Sequence, residues 1–184
     1  LDLFLSIKDY ALQMMELDVP KTIELFLKNI DRISVSAVCQ QLSDEPRLLH
    51  KFLHALFEKD PTLQHGYHDQ QVKLYIRYDR AKLGSFLETS NRYNLEQALK
   101  VCKENRMYDE VVSILKRMGS TTDALMILIK QKKDVKKAIA FVESVKDDDL
   151  WDELIQHSLE SNLLLSDLLG HVGNHYVDAL KLVE

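Results

Sequence analysis

The spacing apolar-x-x-apolar-apolar-x-x-apolar recurs along this chain and constrains its fold more than any other feature. It reads Leu95-Ala98-Leu99-Cys102, Tyr108-Val111-Val112-Leu115 and Val135-Ala138-Ile139-Val142, then Leu165-Leu168-Leu169-Val172 and Tyr176-Ala179-Leu180-Val183. Side chains at i, i+3, i+4 and i+7 share one face of an α-helix, so each copy specifies an amphipathic helix. The regular return says more than any single copy. Its fourth positions form two interleaved series, Ala98, Ala124, Leu154, Ala179 and Val111, Ala138, Leu168. Steps within a series are roughly 25 to 30 residues, one helical hairpin each, and periods of that size mark stacked repeats. Small alanines at these positions let helices cross closely. One hairpin alone leaves an apolar face bare; stacking covers it, so stability lies between neighbours. The expected fold is an all-α, right-handed α-solenoid of stacked antiparallel helical hairpins, about twelve or thirteen helices, filling residues 1–184 as a single unit.

Charge and composition remove several function classes. A net charge of −5 over 184 residues speaks against a nucleic-acid binder, which needs a basic face for phosphate. With 46% hydrophobic residues the chain is too apolar to be disordered, and five Gly with three Pro suit a chain that is mostly helix interior. Cys39 and Cys102 sit at apolar helix positions and read as small buried hydrophobes in a reducing compartment rather than a disulfide. No apolar run approaches the roughly 20 residues that span a bilayer. Leu1 begins inside an amphipathic pattern without a basic leader or cleavage site, so the expectation is a fragment of a larger cytosolic protein.

Helices read almost end to end. A first is expected over 2–17 with Leu3, Ile7, Tyr10, Met14 and Leu17 inward. Pro20 opens a second carrying Ile23, Phe26, Leu27 and Ile30, and Ser34 caps a short third with Val35, Val38, Cys39 and Leu42. Pro46 starts a stronger helix with Leu49, Phe52, Leu53, Leu56 and Phe57, and Asp60 to Gly66 is the clearest break. Val72, Leu74, Ile76 and Tyr78 alternate like a strand, but a lone strand among helices has no partner for its backbone, so a helix is expected. Downstream, Asn94, Ser120, Asp134, Asp148 and Asn162 are N-terminal caps or starts, and Gly119 closes the helix that ends at Met118.

Candidate chemistry is sparse. His50, His54 and Glu58 share a helix face at zinc-compatible spacing, yet Lys51 stands where a metalloprotease needs glutamate, so a partly packed face is preferred. His171 and His175 are separated by Gly173, while His65 and His68 read as surface residues or caps. Asp147-Asp148-Asp149 reads as capping with a favourable helix dipole rather than an ion loop. Tyr67, Tyr75, Tyr78 and Phe86 form either an exposed contact patch or, preferably, the core of their own hairpin. No nucleophile motif, phosphate loop or Cys-x-x-Cys occurs, so no catalytic, cofactor or metal residue is assigned and no enzyme is expected. Lys130, Lys132, Lys133, Lys136 and Lys137 make the strongest basic run. They mark an interaction edge for an acidic partner or anionic lipid, or simply a solvated turn, which is the preferred account.

Further motifs carry a family likeness. They are Tyr67-His68-Asp69-Gln70-Gln71-Val72-Lys73-Leu74-Tyr75, Tyr78-Asp79-Arg80, Leu95-Glu96-Gln97-Ala98-Leu99, Leu115-Lys116-Arg117-Met118-Gly119, and Leu150-Trp151-Asp152-Glu153-Leu154-Ile155. Asp134-Val135 with Lys137-Ala138-Ile139 belongs with them. Together they resemble the clathrin-heavy-chain repeat region of the vacuolar protein sorting-associated 41 family, subunits of the HOPS tethering complex. The likeness is strongest over 67–184 and looser over 1–60. It implies a non-enzymatic scaffold in vesicle trafficking, cytoplasmic and recruited peripherally to late endosome, vacuole or lysosome membranes through parts of the protein outside this chain. Other HOPS subunits are the implied partners, with self-association through the repeat. A peptide-binding adaptor of the tetratricopeptide type is the alternative, disfavoured because that repeat steps near 34 residues.

Overall fold

The computed structural model describes residues 9–60, 62, 65–159, 165–166 and 168–170. The fold class is the all-α solenoid that the repeat requires, and no strand occurs among the described residues. Contacts divide the chain into two compact units, Leu1–Ala98 and Leu99–Glu184.

The first unit contains α1 (Ala11–Leu17), α2 (Val19–Lys28), α3 (Val35–Gln41), α4 (Pro46–Lys59), α5 (His68–Tyr78) and α6 (Leu83–Thr89), with short 3₁₀ turns at His65–Tyr67 and Arg80–Lys82. α1 touches both α2 and α3, and α2 touches α4. Contact with the next helix and the next but one is what a stack of hairpins demands. Asp18 joins two helices at once: its extended backbone (φ −155°) ends α1, and its carboxylate accepts the Lys21 N–H at 3.1 Å to start α2. Pro20 sits in that first turn, and Ser34 Oγ accepts the Ala37 N–H at 3.3 Å, both as expected.

Val35, Val38, Cys39 and Leu42 are buried, and so are all five apolar positions read on α4. Phe26 and Phe52 meet edge to face with centroids 5.8 Å apart. The strand-like stretch is the helix α5. The first helix differs from its expectation. Ala11 and Met15 are the buried residues of α1, while Tyr10 precedes the helix and Leu17 is 87% exposed. The Thr22 hydroxyl donates to the Met14 carbonyl at 2.7 Å, tying the α1 backbone to α2 and fixing which face turns inward. Leu3 and Ile7 lie outside the described residues.

α7 (Leu95–Glu104), in which the division falls, starts behind Asn94, whose side chain accepts the Gln97 N–H at 2.9 Å. The second unit continues with α8 (Tyr108–Met118), α9 (Thr121–Met126) running into a π turn at Ile127–Lys132, α10 (Val135–Val145) and α11 (Asp148–Leu159). α9 packs on α8, α10 and α11, again neighbour and next but one. All described members of the two series are buried: Ala98 3%, Val111 0%, Ala124 0%, Ala138 0%, Leu154 1% and Leu168 1% exposed. Ala179 and Asn162 lie outside the described residues.

Gly119 closes α8 at φ +78°, with Ser120 N–H on the Leu115 carbonyl at 3.0 Å and Gly119 N–H on that of Lys116 at 3.1 Å. Arg106 (φ 57°) makes the same pair of bonds after α7, through Met107 to Cys102 and its own N–H to Lys103. Ser120 stands at the start of α9, but its hydroxyl makes no capping bond; only its carbonyl engages, with the Ala124 N–H. Asp134 Oδ1 accepts the Lys137 N–H at 3.0 Å, and Asp147 Oδ1 that of Asp149 at 3.1 Å.

Candidate functional site

The lysine run is divided by its surroundings. Lys132 ends the π turn with its side chain only 17% exposed, and its ammonium pairs with Asp109 Oδ1 in the first turn of α8. Lys137 Nζ, from the first turn of α10, reaches the same oxygen at 2.9 Å. One carboxylate oxygen thus holds two ammonium groups from two elements. The bond from Lys132, seconded by that from Lys137, keeps the Asp109 carboxyl below its ordinary value against the opposing effect of burial. The same contact raises Lys137. The Tyr108 hydroxyl donates to Gln131 Oε1 at 3.4 Å beside this pair. Lys130, Lys133 and Lys136 are exposed, Lys133 at the left-handed φ of 53° that ends the π turn.

The sequence places five lysines together and misses Asp109, which lies 23 residues before Lys132 and 28 before Lys137. One hairpin period separates them, so the repeat itself is the signal that finds it.

The histidine face of α4 runs from the interior to the surface: His50 is buried, His54 partly covered and Glu58 exposed. His50 is 7% exposed, and the Gln71 amide Nε2 lies 3.2 Å from its Nδ1. Its ring meets the edge of Tyr75 at 5.0 Å. His54 Nε2 lies 2.8 Å from Lys82 Nζ and its Nδ1 2.7 Å from the Tyr75 hydroxyl. An ammonium only donates, so Nε2 accepts and Nδ1 carries the proton toward Tyr75. Glu58 is 4.0 Å away. Burial, and for His50 the neighbouring His54, lowers the affinity of His50 for a proton. Burial and then Lys82 do the same for His54. Both rings belong to a helix-to-helix bonding network. Among the described residues, no cluster of three or more His, Cys, Asp or Glu has metal-holding geometry.

His68 corrects its expectation. It is fully buried, its ring 4.3 Å from Phe57 and 6.0 Å from Phe86. The break before it brings His68 in as the first residue of α5, where α4 and α5 pack together. The side chain of His65, and both His171 and His175, lie outside the described residues. Tyr75 and Phe86 are core, 3% and 5% exposed, while Tyr67 and Tyr78 are half-buried.

A groove of about 820 Å³ opens in the first unit beside α4, walled by Met15, Val19, Leu48 and Tyr78. Glu16, Glu45 and Asp79 rim it together with Arg47, Lys51 and Arg77, so its charge selects neither sign. Cys39 and Cys102 are buried free thiols, each pushed up to about 12 by burial and therefore unreactive.

A model of the Vps41 TPR-like region matches residues 1–184. The chain belongs to the Vps41 family. It is 38% identical over 182 residues to the vacuolar protein sorting-associated protein 41 homologues of Homo sapiens and Mus musculus, covering 99% of this chain and 21% of each relative. The homologue of Solanum lycopersicum is 38% identical over 185 residues, 97% of this chain and 19% of its own length. Vacuolar protein sorting-associated protein 41 of Schizosaccharomyces pombe is 29% identical over 149 residues, 81% of this chain and 17% of the relative. The chain thus spans about a fifth of the length of the curated Vps41 relatives it matches. No solved structure matches.

Proposed function

We propose that this chain is a helical-repeat scaffold of a Vps41-type subunit of the HOPS tethering complex, acting without catalysis in vesicle trafficking at late endosomal, vacuolar or lysosomal membranes. The family match along residues 1–184 carries this reading. The physical layout supports it. Among the described residues most apolar helix positions are buried in helix-to-helix packing, and the paired histidines His50 and His54 are engaged by Gln71, Tyr75 and Lys82. Stacked hairpins act geometrically: they hold recognition elements at fixed spacing and offer polar edges to partners. The lysine edge at Lys130, Lys132, Lys133, Lys136 and Lys137 is the contact face toward sister subunits. Membrane recruitment is peripheral and resides elsewhere in the full protein; no helix among the described residues is long and apolar enough to cross a bilayer.

Capture of reconstituted HOPS subunits on the immobilised chain tests the scaffold reading. Retention of at least one sister subunit is expected; failure to retain any contradicts it. Self-association through the repeat belongs to the same reading. Light scattering over a concentration series then shows mass rising above the monomer, and a constant 21.4 kDa removes self-association alone.

A further inference from the structure

We propose that the lysine edge around Asp109 docks an acidic peptide segment, a run of Asp and Glu side chains presented by a partner protein. This deepens the contact-face reading above and rests on it. The edge gathers Lys130, Lys132, Lys133, Lys136 and Lys137, and the carboxylates among its own residues are Asp109 and Asp134. Five positive charges against two negative leave +3 on a chain whose total is −5. Positive charge concentrated on an acidic molecule steers anionic partners to that one place.

The donors are also unspent. Asp109 Oδ1 takes one bond each from Lys132 and Lys137, and every ammonium carries three N–H groups. The Asp109 contact holds Lys137 in place with its side chain 52% exposed, so a carboxylate arriving beside it meets N–H groups already positioned, while Lys132, 17% exposed, backs the site from within. That lowers the ordering cost of binding. Lys133 and Lys136 stand exposed on either side of Asp134, and Lys130 lies earlier on the π turn.

Two features favour discrete carboxylates over a lipid surface. Asp109 and Asp134 sit within the patch, where a continuous anionic plane must face them, while a peptide can place its carboxylates against the lysines. No large exposed hydrophobic residue lies between Lys130 and Lys137 to insert among acyl chains. Membrane anchoring by charge alone, at about +3, is marginal and needs a second, apolar signal.

The test uses the 184-residue chain and fluorescein-labelled hexaglutamate, read by anisotropy at low salt, beside co-sedimentation with phosphatidylserine–phosphatidylcholine vesicles. Saturable hexaglutamate binding is expected, weakened by salt and by about tenfold or more in the Lys130→Glu/Lys133→Glu/Lys136→Glu variant. Circular dichroism of that variant should match the parent because all three residues are exposed. A control reverses the exposed Lys51, Lys73 and Lys100 and should leave affinity within about twofold. No binding, equal loss in both triple variants, or capture by vesicles without capture of hexaglutamate each overturns the proposal. Sister-subunit capture separates the two layers. If it persists while hexaglutamate fails, the peptide assignment falls and the scaffold stands; if hexaglutamate binds and capture fails, the scaffold reading falls.

Discussion

The two compact units use different interiors for the same architecture. Among the described residues of 1–98, aromatic and polar side chains join an aliphatic core: Phe26, Phe52, Phe57, Tyr75, Phe86 and Tyr93 are buried, as are Thr22, His50, His68 and Gln71, alongside residues such as Leu49, Leu53 and Leu56. Among the described residues of 99–184 the buried set is mainly aliphatic and small: Val111, Ile114, Ala124, Leu125, Ala138, Ile139 and Leu154, with aromatic Phe141 and polar Ser158 beside them. Helix ends differ in parallel. The first unit turns on extended aspartates, Asp18 and Asp60, with φ near −155°, while the second turns on left-handed residues Arg106, Gly119, Lys133 and Lys146. A polar, aromatic interior is specified by particular bonds, whereas an aliphatic interior with small crossing residues is specified by spacing. The i, i+3, i+4, i+7 spacing nevertheless runs through both units, as in Val35-Val38-Cys39-Leu42 and Leu49-Phe52-Leu53-Leu56 of the first, all buried.

The largest effect that probes this contrast is truncation of an aromatic in the first unit. Phe52 is fully buried against Phe26, so Phe52→Ala should cost about 3–5 kcal/mol, read by urea denaturation. A loss under about 1 kcal/mol would mean the aromatic core is not what holds that unit. Next is overfilling in the second unit. Ala124 and Ala138 have no exposed surface, so Ala124→Leu or Ala138→Leu should cost about 1–3 kcal/mol. Tolerance of both would break the claim that close crossings need a small side chain.

Helix ends give smaller effects. A Cβ on Gly119 meets nothing within 4 Å, so Gly119→Ala pays only for its φ of +78°, about 1 kcal/mol. Arg106→Gly should do the reverse and stabilise by up to about 1 kcal/mol, since Arg106 holds the same backbone shape without glycine's freedom. In the first unit Asp18→Ala removes the α2 cap and should cost about 1 kcal/mol.

The smallest effect is a pH dependence carried by two histidines of the first unit. His50 and His54 have lowered proton affinity, so their contribution is complete above 6.5 and is lost as pH falls through their depressed values. Amide protection factors on α4 and α5 should therefore fall below pH 6.5 earlier than those on α8 to α10. Equal loss in both units would remove histidine as the cause.

In both units the readings that held are those that rest on local spacing and caps: Ser34, Pro20 and the buried faces of α3 and α4 in the first, and the series positions in the second. Between Asn94 and Leu154 the series positions Ala98, Val111, Ala124, Ala138 and Leu154 are buried as expected and Gly119 closes its helix, whereas Leu169, expected inward, is 49% exposed, and Asn162 and the last copy of the pattern lie outside the described residues. Ser120 was an exception in detail: its position was right, but its carbonyl, not its hydroxyl, engages α9. The N-terminal helix was misread because Leu17 and Tyr10 are apolar yet exposed, and a bond from Thr22 to the Met14 backbone, invisible to hydropathy, sets the face. His68 was missed for a related reason: a histidine between two phenylalanines is a packing residue, and no local pattern announces rings brought in from α4 and α6. The lysine edge was legible as charge. Its division by Asp109 required two hairpins to be set side by side.

The most direct test of the scaffold account is hydrogen–deuterium exchange on the chain with and without the sister HOPS subunits. The account predicts added protection at Ile127–Lys132 and the start of α10, with the α4 groove around Arg47 and Tyr78 unchanged. Protection centred on that groove, with the lysine edge unchanged, would contradict it.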